Sequence, residues 1–418
     1  ADSLMQGLPI AAGLDRGHQQ VLRGHKRIFV RQMPGDHLGV LANDMSLRPF
    51  DHPVEPDGLI DFSDIPTSTD QGIYLLPGTL GEIFGARHHV ATILARPIRP
   101  LPREAHSALI LDKGSYGLSY ARSRYSRGFS NGREIDMGIA YRFGDGYSGG
   151  FDDNAYAYDG DFVMPLNDRI GMRATGHLYR REGHLAIPND DVLNASFIQR
   201  YRFDRNLRLL FESFGSDGNS RSSFGYTHSR QGSYLGPDEA GDLYKGRFNL
   251  TDHGAVARRC WFHGQSLVTV SGKLILHEYD NAFANLVRHS SELSALWARP
   301  FGSTQYAVVV GTGTTEHFGV LPHVSIVWKR ESVRSLLMGT IGYSERAPTL
   351  HELYLPNQNV LLYSGSGLDY EEKGNRLLKS ERQIVMSLQA EIGKMGNTAG
   401  LTVAAGQIWD AIDWQHTL

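Results

Sequence analysis

An acidic, glycine-rich stretch is the first place where residue types and spacing suggest chemistry. It covers residues 144–161 and contains four carboxylates that we take as calcium candidates: Asp152, Asp153, Asp159 and Asp161. Carboxylate oxygens at this density are the hard ligands that Ca²⁺ prefers. The spacing does not match an EF-hand loop, so a solvated acidic loop without a metal is the alternative interpretation.

Histidines form the second group of candidates. The chain has 18 of them, among them the adjacent pair His88 and His89, and His351, which follows an Arg-Ala-Pro step beginning at Arg346. Imidazole suits haem iron, zinc and copper. These three histidines and Arg346 are therefore the candidates for substrate contact. The alternatives are scattered polar residues for the histidines, and for Arg346 a structural tie to loop carbonyls or carboxylates through its fork of donors.

Composition narrows the function classes. The single cysteine, Cys260, excludes an intramolecular disulfide and a cysteine-cluster metal site. Lysine and arginine number 42 against 45 acidic residues, a formal net charge of −3, which gives no reason to expect a nucleic-acid partner. The sequence contains no Gly-x-Ser-x-Gly, His-Glu-x-x-His or Walker-type motif. We therefore predict that the protein is not an enzyme and requires no cofactor.

The elements that position these residues are strands with alternating polarity, which begin near residue 106. In residues 268–277, for example, the apolar and polar side chains separate onto two faces: Val268, Val270, Leu274 and Leu276 against Thr269, Ser271, Lys273 and His277. A soluble sandwich would bury the apolar face, whereas a membrane barrel would turn it to lipid. No run of about 18 apolar residues exists, so no transmembrane helix is expected.

The lengths of the connections favour the membrane barrel. Short turns are predicted near residues 130–132, 167–168, 204–206, 264–265, 300–303, 330–331 and 395–397. Long polar loops are predicted at 144–159, 182–191, 215–242, 278–290 and 344–381. Short turns at one end and long loops at the other are typical of outer-membrane barrels. The count gives fifteen strands, the last over residues 401–409.

In one segment the residue types themselves are informative, in addition to the alternating polarity. Residues 342–354 contain Arg346, Ala347, Pro348, Glu352, Leu353 and Tyr354, and the returning strand is preceded by Asn375, Leu378 and Glu381. An Arg-Ala-Pro step running into Glu-Leu-Tyr, with Gly-Asn-x-x-Leu-Lys-x-Glu behind it, resembles the TonB-dependent receptors of the Gram-negative outer membrane. The resemblance implies a membrane all-β fold, an outer-membrane antiparallel β-barrel with an N-terminal α+β plug domain inside its lumen.

The N-terminal hundred residues are similar to that plug. The steps at Pro34 and Gly35, at Pro77 and Gly78, and at Gly85 stand in the order of the family's plug. Residues 46–50 depart from its pattern, and no TonB box is evident near the start. The resemblance predicts a partial or degenerate plug over residues 1–103 and a transmembrane barrel over residues 104–418.

The resemblance also implies a length and a function. The family's barrel has twenty-two strands, and residues 410–414 resemble the start of a further outer loop, so we expect the chain to lack about seven C-terminal strands. The implied function is uptake of a scarce nutrient: a metal chelate or siderophore, haem, cobalamin or a metal ion. The implied partners are a TonB-type energy-transducing complex, outer-membrane lipid and that ligand. Relatives that carry Ca²⁺ in an outer loop support the calcium candidates.

Two other interpretations remain open from the sequence. The first keeps the barrel without transport, as a structural subunit of an envelope complex with other envelope proteins as partners. The second is a secreted, soluble β enzyme, which predicts extraction without detergent.

Overall fold

The structure is a computed structural model. It describes residues 14–20, 25–30, 38–42, 45–46, 71–77, 80–81, 83, 91–97, 101–113, 119–144, 153–188, 197–217, 219–236, 248–281, 284–332, 334–354, 358–360, 370–372, 375–394 and 397–410.

These residues form strands and one short helix. The elements of the N-terminal part are β1 (Leu14–Gln20), β2 (His25–Val30), β3 (Leu38–Ala42), β4 (Met45–Ser46), β5 (Gln71–Pro77) and β6 (Ala91–Pro97). The following strands are β7 (His106–Lys113), β8 (Ser119–Gly128), β9 (Glu134–Phe143), β10 (Asp153–Pro165), β11 (Ile170–Pro188), β12 (Phe197–Ser216), β13 (Ser220–Gly236), β14 (Phe248–His263), β15 (Ser266–Asn281), β16 (Ala284–Phe301), β17 (Thr304–Thr315), β18 (Gly319–Ser332) and β19 (Ser335–Arg346). Helix α1 (Leu350–Tyr354), β20 (Gln358–Val360), β21 (Tyr370–Glu372), β22 (Glu381–Lys394) and β23 (Asn397–Trp409) complete them.

One sheet of 15 strands dominates the fold. It runs from β7 to β19 in chain order and continues through β22 to β23, and every neighbouring pair is antiparallel. The helix α1 and the hairpin β20–β21 are inserted between β19 and β22. The predicted count of fifteen strands and the all-antiparallel membrane-barrel type of sheet are confirmed.

The N-terminal part forms separate, smaller sheets. A four-stranded sheet has the order β4–β3–β6–β5, with β3 and β6 parallel, and β1 pairs with β2. The parallel pair joins strands that are distant in the chain, unlike the meander that follows. The division into a plug over residues 1–103 and a barrel over residues 104–418 stays a prediction.

Side-chain chemistry fixes the short turns. The carboxamide of Asn167 accepts hydrogen bonds from the amides of Arg169 and Ile170 at 2.9 and 2.8 Å, and closes the turn between β10 and β11. In the two-residue turns 264–265 and 302–303, Gly264 and Gly302 have φ angles of 57° and 59°. Only glycine adopts this left-handed conformation without steric strain. The strands are therefore joined tightly at this end, which we call the short-turn end.

The opposite end, which we call the long-loop end, carries most of the long connections. The strand ends that meet there are separated in sequence by residues 114–118, 144–152, 189–196, 237–247, 282–283, 316–318 and 347–380. Those at the short-turn end are separated by residues 129–133, 166–169, 217–219, 264–265, 302–303, 333–334 and 395–396. The predicted asymmetry holds for the other hairpins, with three exceptions: β7 and β8, β15 and β16, and β17 and β18 are separated by five residues or fewer at the long-loop end.

Several predicted connections were wrong. In the loops predicted at 144–159 and 182–191, residues 153–159 and 182–188 belong to β10 and β11. The turn expected at 204–206 lies inside β12, because these residues pair in register with β11 on one side and β13 on the other. The true turn is at 217–219, inside the predicted loop 215–242, most of which is β13. The loop expected at 278–290 is also largely strand, since Asn281 of β15 pairs directly with Ala284 of β16.

The polarity of the large sheet is the reverse of a soluble protein. Its buried face holds charged and polar side chains such as Asp136 and His277, both 0% exposed, while apolar side chains such as Leu293, 56% exposed, cover the other face. A soluble sheet would bury the apolar face. The outward apolar band therefore matches a hydrocarbon environment, as the sequence predicted.

No helix in the part of the chain that the structure describes is long and apolar enough to cross a membrane.

Candidate functional site

The Arg-Ala-Pro segment forms a compact hydrogen-bonded cluster at the end of β19. We call this cluster, made of residues 346–352 and Glu381, the knot, without implying a topological knot. The Nη1 atom of Arg346 donates hydrogen bonds to both carboxylate oxygens of Glu352, at 3.0 and 3.1 Å. Its Nη2 atom donates to Glu381 Oε2 at 3.4 Å. Arg346 and Glu381 are direct partners across β19 and β22. One guanidinium group thus joins both ends of the long loop to the helix within it.

Helix α1 begins with a capping box inside this knot. The amide of Glu352 donates to Thr349 Oγ1 at 3.1 Å, and the amide of Thr349 donates to Glu352 Oε2 at 2.6 Å. This reciprocal pair satisfies two amides that a helix start leaves without intrahelical partners. The Glu352 carboxylate therefore serves the helix cap and the Arg346 ion pair together.

The knot is attached to the wall of the sheet. Arg288 of β16 donates from Nη1 to the carbonyl oxygen of Pro348 at 2.7 Å. Leu350 packs with Leu250 of β14 and Tyr279 of β15, all three of them buried. These contacts hold the loop entrance against three neighbouring strands and fix where the rest of the loop departs.

The remaining motif positions around the knot have local roles. Leu353 is buried, Ala347 is half-buried, and the guanidinium of Arg376 lies 5.0 Å from the ring centre of Tyr354. The amide of Asn375 donates to the Glu352 carbonyl at 2.8 Å, and the amide of Leu378 donates to the Asn375 carbonyl at 3.3 Å.

Of the residues in the predicted plug motif, the structure describes only Pro77. Pro77 is the last residue of β5. Pro34, Gly35, Gly78 and Gly85 lie outside the described residues.

A second cluster of charges lies on the buried face of β8, β9 and β10. Arg124 donates from Nε to Asp136 Oδ1 at 2.8 Å and from Nη1 to Asp159 Oδ2 at 2.9 Å, and a further contact joins its Nη2 to Asp136. Arg124 and both carboxylates are buried. Because a buried charge without a partner is strongly unfavourable, this ion triad holds the three strands in one register.

The triad continues onto β11. Arg173 donates to both oxygens of Asp161, at 2.9 and 3.0 Å, and Thr175 donates its hydroxyl to Asp161 at 3.1 Å. Glu212 of β12 lies 3.9 Å from Arg173. The buried face is thus lined by paired charges, a surface suited to polar contacts.

These ion pairs correct the predicted position of two calcium candidates. Asp159 and Asp161 belong to β10, which begins at Asp153, and not to the outer loop. Their carboxylates are already bound to arginines, so they are not free as loop ligands. Asp152 lies outside the described residues. No group of three or more metal-ligating side chains occurs within the described part of the chain, and calcium binding stays a prediction.

The substrate candidates are only partly placed. Arg346 is half-buried, with its guanidinium bound to two carboxylates, the structural role that its donor geometry suggested. His351 is part of α1, beside this knot. His88 and His89 lie outside the described residues.

Sequence reasoning missed a buried chain of three polar side chains on β14, β15 and β16. His277 Nδ1 lies 2.7 Å from Asp252 Oδ1, and its Nε2 lies 2.8 Å from Ser290 Oγ. Only the cross-strand register of β14, β15 and β16 could have indicated this chain, because its three residues are far apart in the sequence. Serine hydrolases use the same three residue types. Here Ser290 is buried mid-strand, paired with Ile275 and Thr315, so the ladder occupies the backbone amides that an oxyanion hole would need.

Comparison with solved structures gives the class of the fold. The siderophore receptor PirA from Pseudomonas aeruginosa matches with a TM-score of 0.70 at 11% identity, over 97% of this chain and 73% of that chain. A mutant of the ferric enterobactin receptor PfeA from the same organism matches with a TM-score of 0.71 at 13% identity, over 97% and 68%. The copper transporter OprC matches with a TM-score of 0.67 at 13% identity, over 95% and 67%.

The fold is that of an outer-membrane receptor barrel. More narrowly, it is the fold of the TonB-dependent receptors, which confirms at the level of fold the resemblance given by the segments 342–354 and 374–381. No family model and no curated protein matches the sequence.

Proposed function

We propose that this chain acts in the Gram-negative outer membrane as a receptor-type transporter that takes up a scarce nutrient. The observation that supports this proposal most is the reversed polarity of the 15-stranded sheet, with linked ion pairs on the buried face and an apolar band outside. Such a wall separates lipid from a polar interior through which a hydrophilic solute could pass.

The nutrient classes we propose are a metal chelate or siderophore, haem, cobalamin or a metal ion. Similar structures include siderophore receptors and a copper transporter, which favours a metal or its chelate among these. His88, His89 and His351 remain the candidate contacts, because imidazole binds these metals. Arg346 is a weaker candidate, since its guanidinium already binds Glu352 and Glu381.

We further propose that residues 1–103 act as the plug and that a TonB-type complex drives their rearrangement. The parallel pairing of β3 with β6 gives this region a small sheet distinct from the meander. Uptake then requires that the substrate bind one arrangement of plug and loops better than the other, because only differential affinity shifts such an equilibrium.

The knot around Arg346 suits this function as a fixed point. It ties the base of the longest connection of the described sheet to three strands of the wall. A binding loop needs such a rigid base to present its side chains reproducibly.

Uptake by cells tests the proposal. The full-length gene would be expressed in a Gram-negative strain lacking its own receptors, and uptake of labelled ferric siderophores, haem, cobalamin and copper would be measured with and without TonB. We expect TonB-dependent uptake of one of these classes. Correct insertion without uptake of any of them would refute transport. Copurification with envelope proteins at fixed stoichiometry would then identify a structural subunit.

A further inference from the structure

The outward face of β14 to β18 changes character towards the short-turn end. Apolar residues such as Leu293, Val310 and Ile326 cover its middle. Closer to the turns, aromatic side chains take over: Trp261, Trp297, Phe301, Tyr306 and Trp328. Aromatic side chains at this level mark the boundary between hydrocarbon and headgroups.

Three exposed arginines stand on this face among the aromatic rings. Arg259 lies 5.2 Å from the ring centre of Trp261, and Arg299 lies 4.8 Å from that of Phe301. Arg330 follows Trp328 by two residues on β18, and so projects from the same face. The register places Arg299 of β16 and Trp328 of β18 on either side of Tyr306 of β17, because Tyr306 pairs with both.

Aromatic rings also contact one another in this cluster. The rings of Trp297 and Phe301 are 6.3 Å apart, and those of Phe301 and Tyr306 are 5.7 Å apart, edge to face. A guanidinium that stacks over such a ring is held in orientation, while its N–H donors remain available to hydrogen-bond water or an anion. The arrangement therefore holds Arg299 ready for a charged partner outside the protein.

No acidic residue shares this face among the described residues near the turns. The outward positions are Ala257, Arg259, Trp261, His263, Ser266, Val268, Val270, Ala295, Trp297, Arg299, Phe301, Thr304, Tyr306, Val308, Ile326, Trp328, Arg330 and Ser332. Glu331 projects from the opposite face of β18 and lies 2.6 Å from Lys329.

Asp217 lies within electrostatic reach of Arg259, but it belongs to the turn 217–219. Its carboxylate accepts hydrogen bonds from the hydroxyl and the amide of Ser220, at 2.9 and 2.6 Å. The face itself therefore presents three positive charges and no negative one.

We propose that Arg259, Arg299 and Arg330 form a docking surface for the headgroups of anionic phospholipids in the periplasmic leaflet. A phosphate accepts two hydrogen bonds from one guanidinium, which fixes its position. The excess of positive charge favours a lipid with net negative charge over a zwitterionic one, and the aromatic rings place that headgroup level with the arginines. The short turns assign this end to the periplasm.

The inference rests on the membrane placement in the proposed function, but not on transport. A receptor with no uptake activity would still bind these lipids, and a transporter could function without them. The two proposals therefore fail independently.

Native mass spectrometry of the full-length detergent-purified protein tests the inference. An equimolar mixture of phosphatidylglycerol and phosphatidylcholine with identical acyl chains would be titrated in. We expect bound phosphatidylglycerol to exceed phosphatidylcholine by about tenfold, since each arginine near the headgroups adds to the attraction. The preference should fall as salt rises, because the charges are exposed.

The decisive variant is R259Q/R299Q/R330Q, which we expect to bind both lipids equally. Its matched control is R180Q/R230Q/R382Q, which removes the same charge from exposed arginines in the long-loop half of the sheet and should keep the preference. The triple lysine variant at 259, 299 and 330 should keep part of it, because charge survives without the planar fork. Heat-modifiable gel mobility would confirm that each variant is folded.

Three results would overturn the inference. The first is a wild-type protein without a lipid preference. The second is an equal loss of preference in both glutamine triples, which would reduce the effect to overall charge. The third is binding of purified lipopolysaccharide, in a parallel titration, that depends on the same three arginines, since that would place this end in the outer leaflet.

Discussion

Arg288 and Pro348 are joined by a hydrogen bond of 2.7 Å, although Arg288 lies on β16 and Pro348 lies in the connection that follows β19. The donor is a buried guanidinium on β16, and the acceptor is the carbonyl oxygen within the Arg-Ala-Pro step. Proline has no amide hydrogen, so the carbonyl is the only backbone group of this residue that can form such a bond. Together with Arg346 on the other side, Arg288 holds the base of the long loop against the sheet.

Replacing Arg346 by alanine should release this loop base. Glu352 and Glu381 would lose their shared cation, and Glu381 would stay buried, which we expect to lower the free energy of unfolding by about 2–3 kcal/mol. Chemical unfolding in lipid vesicles followed by tryptophan fluorescence measures this loss. Limited proteolysis would show faster cleavage between α1 and β22.

Two variants set the scale for Arg346→Ala. The Arg382–Asp410 pair is exposed at 3.1 Å, so Arg382→Ala should lower stability by no more than about 0.5 kcal/mol. Arg346→Lys should fall between the two, because one ammonium cannot reproduce the fork. An unfolding midpoint for Arg346→Ala equal to that of Arg382→Ala would contradict the knot as a structural tie.

Removing Arg124 should destabilise the sheet at β8, β9 and β10. The variant Arg124→Ala leaves the carboxylates of Asp136 and Asp159 buried without their cation, an effect of about 3–5 kcal/mol. The double variant Arg124→Ala/Asp136→Asn should be less destabilised than the sum of the two single variants, because the partners are coupled. Additive losses in the double-mutant cycle would argue that the ion triad does not act as a unit.

Gly138 leaves the space that the triad needs. A Cβ atom at this position would lie 2.3 Å from Asp159 Oδ1 and 3.2 Å from Arg124 Nη1, so Gly138→Ala must displace the ion pair and should lower stability by about 1–3 kcal/mol. Gly176 of β11 is the matched control, since a Cβ there would meet Leu209 at an ordinary 3.4 Å. Equal unfolding midpoints for Gly138→Ala and Gly176→Ala would show that the crowding is relieved without loss.

Local pattern was enough to predict most of the strands but not all of their connections. Alternation is a property of neighbouring residues, so the apolar faces of strands such as residues 268–277 could be read from the sequence. The count of fifteen came from the predicted turns, and it was correct although the loop predicted at 215–242 covers β13. The residues Asp204, Arg205 and Asn206 have turn-forming types, yet they pair on both sides within β12. Cross-strand register decides such cases, and it depends on residues far away in the chain.

The candidate functional site, too, could be predicted only in part from the sequence. The fork of donors on Arg346 predicted a structural tie, and the structure supplies its partners, Glu352 and Glu381. The ion triad of Arg124 and the chain through His277 join residues from three strands each. Their pairing follows from register, so residue type and spacing alone could not indicate them.

Placing a charge on the outward face tests the membrane orientation itself. Leu293 is an exposed apolar residue in the middle of β16, next to the buried Ser294. In a water-soluble protein, replacing an exposed leucine by arginine changes stability by no more than about 0.5 kcal/mol. In a barrel surrounded by lipid, the same change should cost about 2–4 kcal/mol near the bilayer midplane.

The measurement is the free energy of unfolding of Leu293→Arg in lipid vesicles, with the share of heat-modifiable protein in isolated outer membranes as a second readout. Leu293→Ala is the control for lost apolar area, and should be affected less than the arginine variant. Arg330→Leu makes the opposite change near the headgroups. At that depth the free energy of placing a charged side chain differs little from that of placing an apolar one, so this variant should leave the free energy of unfolding almost unchanged. If Leu293→Arg were as stable as Leu293→Ala, the apolar band would not face hydrocarbon, because lipid leaves a charge at that depth without the hydration that water provides.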